Sequence, residues 1–197
     1  MSYPTVYLIR HGQTKWNLEG RYQGQKDSPL TQKGREQARL DAFKLKNNID
    51  NLDEVKIFSS PLGRAKNTSF IICDELGIDR DKIIFDKRIE EFDYGIFEGE
   101  LKTFCQKEYA DIFQAREADK WWYQIEGGES YEIVTQRLKL WLDEVKDEKV
   151  IVVIAHEMIN RALRGLYLDL EHNKTLKLRQ SNDLVLLLQG DEEKSVT

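Results

Sequence analysis

Short apolar runs alternate with amphipathic stretches along this chain. The runs at 5–9, 55–58, 83–85, 150–155 and 184–188 predict five strands. Several are apolar on both faces, as strands covered by helices on each side must be. Between them the period changes to three and four. Ala38, Ala42, Leu45 and Ile49 share one face of a helix that Thr31 can cap. Ser60-Pro61 supplies a cap and a first-turn proline for a second helix, which Gly77 ends. Ser130 opens a third, with Val134, Leu138, Trp141, Leu142 and Val145 on one face, and a fourth is expected over about 160–167. Strands alternating with helices predict an α/β fold, a three-layer α/β/α sandwich with a mainly parallel sheet.

One segment breaks the alternation. Residues 98–126 read as helical and hold Phe104, Tyr109, Phe113, Trp121, Trp122 and Tyr123 ahead of the turn-like Gly127-Gly128. We read the segment as a helical lid insertion within a single domain spanning 1–197. Its aromatic side chains are expected either to wall a ligand's organic part or to pack onto the sheet edge. The polar residues 191–197 are expected to fray.

A length of 197 residues suits one domain, and 40% hydrophobic with 33% charged residues describes an ordinary globular protein. No apolar run approaches the roughly 18 residues that span a bilayer, so no membrane partner is expected. Met1-Ser2-Tyr3-Pro4 shows no basic region leading into an apolar stretch, so no secretory leader is expected either. Two cysteines are too few for a disulfide framework or a four-cysteine zinc site. Cys73, among Phe70, Ile71 and Ile72, reads as a buried thiol, and a reduced, cytoplasmic setting is the default. A net charge of −5 without a dense Lys/Arg block argues against a nucleic-acid partner. A small phosphate ligand stays open, because a few well-placed arginines outweigh a diffuse negative surface at contact distance.

In an open α/β sheet, ligands bind beyond the carboxyl ends of the strands. The first strand runs out at Arg10-His11-Gly12, the second leads to Arg64, and the fourth is followed by His156. Glu90-Glu91 follows the third and adds a carboxylate to the same edge. Each group suits phosphoryl chemistry. A neutral imidazole is a good nucleophile near pH 7, and neighbouring cations keep it neutral. An arginine fork matches two phosphate oxygens. A second histidine, protonated by a bound dianion, stabilises charge on the transferring group. A carboxylic acid protonates the leaving oxygen and then activates water. No metal or cofactor is required, because the cations are already in the protein. A lone Arg-His pair after a strand is more often structural; convergence of several groups at one edge favours catalysis.

The chain also resembles a known family. Leu8-Ile9-Arg10-His11-Gly12-Gln13-Thr14, Asn17, Gly20-Arg21-Tyr22-Gln23-Gly24 and Ser28-Pro29-Leu30-Thr31 are followed by Ser59-Ser60-Pro61-Leu62-Gly63-Arg64-Ala65. Then come Glu91-Phe92-Asp93-Tyr94-Gly95, Gly127-Gly128-Glu129-Ser130 and Ala155-His156. Over nearly the whole chain these blocks are similar, in order, to the histidine phosphatase superfamily, also called phosphoglycerate-mutase-like. The resemblance implies that His11 is the phosphorylated nucleophile and that Arg10, Arg64 and His156 complete the phosphate pocket. It implies Glu91, rather than Glu90, as the general acid, with Glu90 solvated or salt-bridged. Asn17, Gln23, Gly24, Tyr94 and Lys102 are then candidates for the substrate side, although Gln23 also reads as a loop amide bonding its own backbone.

The superfamily includes mutases and phosphatases. This chain is shorter than the cofactor-dependent mutases usually are. Its lid reads Ala118-Asp119-Lys120-Trp121 where those mutases carry an arginine pair, and Glu157-Met158 follows His156 where they have Gly-Asn. Lys102 does stand where mutases carry a substrate-contacting lysine. A metal-independent phosphatase acting on small phosphorylated metabolites is therefore the favoured reading. Mutase-type transfer and a non-catalytic phosphate-binding module are the alternatives. Glu157 either suits the helix dipole in a first turn or faces the leaving group and favours an amine. His172 reads as a plain surface residue, and an exposed edge near the C-terminal strand offers a route to a homodimer.

Overall fold

A computed structural model describes residues 3–197. Met1 and Ser2, at the head of the segment read as having no leader, lie outside the described residues. A six-stranded sheet forms from β1 (Thr5–Arg10), β2 (Lys56–Ser59), β3 (Ile83–Phe85), β4 (Val150–Ala155), β5 (Val185–Gln189) and β6 (Glu192–Val196), in the order β3-β2-β4-β1-β5-β6. The first four run parallel; β5 and β6 are antiparallel additions at one side. The helices are α1 (Lys15–Glu19), α2 (Gln32–Asn48), α3 (Gly63–Leu76), α4 (Lys102–Glu108), α5 (Ala110–Ala118), α6 (Tyr131–Glu144), α7 (Glu157–Tyr167) and α8 (His172–Thr175). Among the described residues no helix is long and apolar enough to cross a membrane.

Strand alternation divides the core in two. Val6 and Leu8 of β1, with Ile151 and Val153 of β4, meet Leu138, Trp141 and Leu163 of α6 and α7. Tyr7 and Ile9, with Val152 and Ile154, meet Ala42, Leu45, Ile72 and Cys73 of α2 and α3 on the opposite face. Burying each large aliphatic side chain contributes about 2 kcal/mol, so neither face can be left open. The three layers follow. Both cysteines are buried thiols.

The expected caps at Thr31 and Ser130 form, each side-chain oxygen accepting from the backbone three residues on. Gly77 ends α3 in the left-handed region with φ 69°. Four expectations need correcting. Ser60-Pro61 does not start α3: the helix begins at Gly63 behind Leu62, which makes no side-chain cap, because Ser60 is engaged elsewhere. The fourth helix starts at Glu157, a turn earlier than the apolar pattern suggested. The lid is helical only through α4 and α5, and the chain from 119 to 130 is turn and extended backbone. The tail does not fray. It forms β6, where Val196 pairs with Val185 and packs in the α2/α3 core. Glu193 there accepts two hydrogen bonds from the buried Arg164, at 2.5 and 2.6 Å. β6 is the sheet edge on that side and carries Glu192, Glu193 and Lys194.

The lid aromatics divide by packing. Trp121 is buried in the core, with Tyr109, Phe113 and Tyr123 packed against it, while Phe104 and Trp122 are exposed. Exposed His172 is more than surface decoration: it stacks on Trp121 with ring centroids 3.7 Å apart and planes 8° from parallel.

Candidate active site

Parallel pairing brings the strand ends into register. Arg10 lies beside Ala155, and Ser59 beside Ile154. One residue further, the His11 N–H donates to the Ala155 carbonyl and the Ser60 N–H to that of Ile154, both at 3.0 Å. Residues 10–11, 59–60 and 155–156 therefore meet at one edge. Gly12 turns the chain away against Gly34 of α2, so closely that a Cβ at either glycine would strike the other segment's backbone. The Gly12 N–H is held by Thr68 at 3.1 Å, and Asn182 donates to the His11 carbonyl at 2.6 Å.

His11 is buried, and its Nδ1 lies 2.8 Å from the carbonyl of Gly12. A carbonyl can only accept, so Nδ1 carries the proton and Nε2 presents its lone pair. Nε2 receives the Nε–H of Arg64 at 3.3 Å. Burial first, then Arg64 and Arg10, hold the His11 pKa well below its ordinary value, so the ring stays neutral.

Arg64, only 1% exposed, is fixed on three sides. It donates to the carbonyls of Lys26 at 2.8 Å and Gly24 at 2.6 Å, and pairs with Asp27 at 3.1 Å. Gly24 permits this with φ 56°, in a position where a Cβ would collide with Glu98. His156 lies behind the nucleophile, its ring centroid 5.2 Å from that of His11. Its Nε2 is 2.8 Å from the Ser60 hydroxyl, while its Nδ1 is buried without a partner. Ser60 accepts from the Leu62 N–H, so donation from the hydroxyl to Nε2 would leave Nδ1 as the protonated donor. Burial, then Arg64, His11 and Arg10, lower the His156 pKa strongly. The protein alone therefore keeps His156 neutral, and any positive charge on it has to be brought by a bound dianion.

Glu91 is 7% exposed and accepts from the Phe92 N–H at 2.9 Å. Burial pushes its pKa up against the pull of Arg64, Phe92 and Arg10, with Glu157 adding to the rise. Glu90 is half-buried and does not face the same space. Arg10, His11, Asn17, Gln23, Gly24, Arg64, Glu91, Tyr94 and Lys102 line one hollow, whereas His156 is fully buried and does not reach its surface. Gln23 does not bond its own backbone; its Oε1 accepts from the hydroxyls of Thr14 at 3.0 Å and Ser28 at 3.2 Å. Asn17 also closes the capping box of α1, accepting from Thr14. From the lid only Lys102 reaches the hollow, its Nζ 5.7 Å from the Tyr22 ring centroid. The lid aromatics do not line it.

Sequence reasoning missed Arg21, Tyr22 and Met158, which line the hollow together with Glu157, the last of these raised as one of two readings. It assigned Ser60 to a helix cap. Arg21 and Tyr22 stand inside the motif Gly20–Gly24, which was the available signal. Among the described residues no group of three or more His, Cys, Asp or Glu is placed to hold a metal ion.

A neutral imidazole whose Nε2 faces Arg64, two arginines and a buried carboxyl gather at one hollow with a second, fully buried histidine behind the first, an arrangement suited to phosphoryl transfer. The chain belongs to the histidine phosphatase superfamily (branch 1), whose family model matches residues 6–197. It is 30% identical over 194 residues to phosphoserine phosphatase 1 of Hydrogenobacter thermophilus, a match covering 97% of this chain and 89% of that one. It is 38% identical over 151 residues to "Probable phosphoglycerate mutase GpmB" of Escherichia coli, covering 72% of this chain and 63% of that protein. Its fold is similar to a mycobacterial glucosyl-3-phosphoglycerate phosphatase solved with VO3, with a TM-score of 0.80 and 26% identity over 98% of this chain and 96% of that one. The protein is an enzyme of this superfamily, with phosphatases among its relatives.

Proposed function

We propose that the enzyme hydrolyses small phosphate monoesters through a phosphohistidine on Nε2 of His11, without a metal. The observation that carries this is the His11–Gly12 contact: it commits Nδ1 as donor and leaves Nε2 as the only nucleophilic atom, beside Arg64. In the first step Nε2 forms a bond to phosphorus as the ester P–O bond breaks, and protonated Glu91 gives its proton to the leaving oxygen. In the second, water attacks phosphorus while Glu91, now a carboxylate, takes a proton from it. The P–N bond breaks, inorganic phosphate leaves, and neutral His11 and protonated Glu91 are restored. Arg10 and Arg64 supply the positive charge that a metal supplies in other phosphatases.

The substrate's organic part meets Tyr22, Tyr94, Met158 and Lys102. Phosphoserine and phosphoglycerate-type esters, the chemistry named for the relatives, are the candidates to test first. Lys102 at the rim favours a second reading, mutase-type transfer, which requires the phosphoryl group to return to an organic acceptor instead of water.

The test is phosphate release from a panel of metabolite phosphate esters with chelator present, including 3-phosphoglycerate with and without 2,3-bisphosphoglycerate. We expect release from several esters, a phosphoryl adduct in the intact mass of the quenched enzyme, and loss of both in His11→Ala. Isomerisation of 3-phosphoglycerate without release would establish the mutase reading instead. Release that survives His11→Ala would overturn the mechanism.

A further inference from the structure

The wall of the hollow contains an ion-pair relay that the reaction above does not use. Glu157, the first residue of α7, sets one carboxylate oxygen 3.1 Å from Arg10 and the other 3.1 Å from Arg161, one turn further along the same helix. We propose that Glu157 is a positioning residue that holds the guanidinium of Arg10 against the transferring phosphoryl group, with buried Arg161 as its anchor. This rests on the phosphatase reading and deepens it.

Arg161 is an immobile post. It is 5% exposed and donates to the Leu178 carbonyl at 2.8 Å and the Tyr131 hydroxyl at 2.7 Å, with the Met158 sulfur at 3.2 Å. A carboxylate fastened to it is fixed in turn, and that fixes the near end of Arg10. Arg10 shows how the fork is divided. Its Nη1 is taken by Glu157 and by the Gln180 carbonyl at 2.9 Å. Its Nε is buried without a partner, and among the described residues no hydrogen bond engages Nη2. The two nitrogens left over form the edge of a guanidinium that matches two oxygens of a phosphoryl group. Glu157 thus holds one side of Arg10 and leaves the opposite edge for the ligand.

Two rival accounts of Glu157 make opposite predictions. As an acid that only complements the dipole of α7, it affects stability and not anion binding. As an unscreened negative charge beside the hollow, it repels a dianion, and its removal tightens binding. The amine-selecting alternative is not supported by the contacts, since both oxygens already face a guanidinium. The carboxylate also helps hold Glu91 in its protonated form, so its loss moves the basic limb of the activity profile toward lower pH.

The test compares wild type, Glu157→Ala and Glu157→Gln for competitive inhibition of aryl phosphate hydrolysis by inorganic phosphate, with phosphate binding also read by calorimetry. We expect Glu157→Ala to weaken phosphate roughly tenfold and to move the basic limb of kcat/KM to lower pH. Glu157→Gln, whose amide oxygen still accepts from one guanidinium, should lose less affinity and confirms that the fold is intact. Unchanged or tighter phosphate binding in Glu157→Ala would overturn the proposal. A wild type that turns over no ester but binds phosphate would overturn the phosphatase reading alone, and calorimetry on the variants would still decide the role of Glu157.

Discussion

The sharpest consequence of the geometry concerns Glu91. Replacing it with Gln keeps the shape and an acceptor for the Phe92 N–H, but removes the proton that the leaving oxygen needs. The buried carboxyl is the one proton donor the mechanism places at the leaving oxygen, and water, a far weaker acid, does not replace it. A placed general acid contributes roughly 10²–10⁴ in rate, or about 3–5 kcal/mol at about 1.4 kcal/mol per decade. That loss should fall on alkyl phosphate esters, whose alkoxide cannot depart unprotonated. An aryl ester releases a stable phenolate without help. Because Glu91 also activates water in the second step, Glu91→Gln should give a rapid burst of phenolate equal to the enzyme present, then slow turnover as phosphohistidine accumulates. The pH profile carries the same signature. Burial holds the folded pKa of Glu91 above the usual carboxylate range, so the acid form persists upward from that range and is lost as pH rises through the folded value. Wild-type kcat/KM for an alkyl ester should therefore fall on the basic side, and the variant should lose that limb. Stopped-flow and steady-state rates on a matched alkyl and aryl pair measure all of this. Equal losses on both esters, with no burst and an unchanged basic limb, would refute Glu91 as the acid.

Further outcomes follow from other contacts. Ser60→Ala removes the hydroxyl 2.8 Å from His156 Nε2; a hydrogen bond of this kind is worth about 1 kcal/mol, so kcat/KM should fall roughly fivefold with little change in melting temperature, and an unchanged kcat/KM would remove Ser60 from the site. Asp41 on α2 is buried with its Oδ1 unpaired and its pKa raised from 3.8 to about 7. Between those values the unfolded chain has released a proton that the folded chain keeps, so wild-type stability should fall as pH rises, by about 4 kcal/mol in all, and level off above about 7. Urea titrations should show Asp41→Asn without that slope; a parallel pH dependence in the variant would refute the assignment. Glu193→Ala strands the buried Arg164 guanidinium and should cost about 3 kcal/mol, with faster hydrogen exchange in β6; an unchanged urea midpoint would mean that the tail is dispensable.

Local energetics made much of this protein readable from its residues. The apolar runs that became β1 and β4 must be covered on both sides, and Thr31, Ser130 and Gly77 close helices through contacts only a few residues long. With strands placed, the rule that ligands sit at carboxyl ends was enough to collect Arg10, His11, Arg64, His156 and the pair Glu90-Glu91, and the family resemblance singled out Glu91. Ser60 shows where local reasoning stops. Beside Pro61 it reads as a helix cap, yet its hydroxyl faces a histidine 96 positions away. The polar tail failed in the same way, since an edge strand needs only one buried side chain and one distant partner, here Val196 and Arg164. α1 spans five residues, too few for periodicity to register. The Arg10–Glu157–Arg161 relay depends on β1 lying beside β4 with Arg10 level with Ala155. Strand order and register are settled by the packing of whole layers, and residues far apart in sequence acquire their partners only when those layers close.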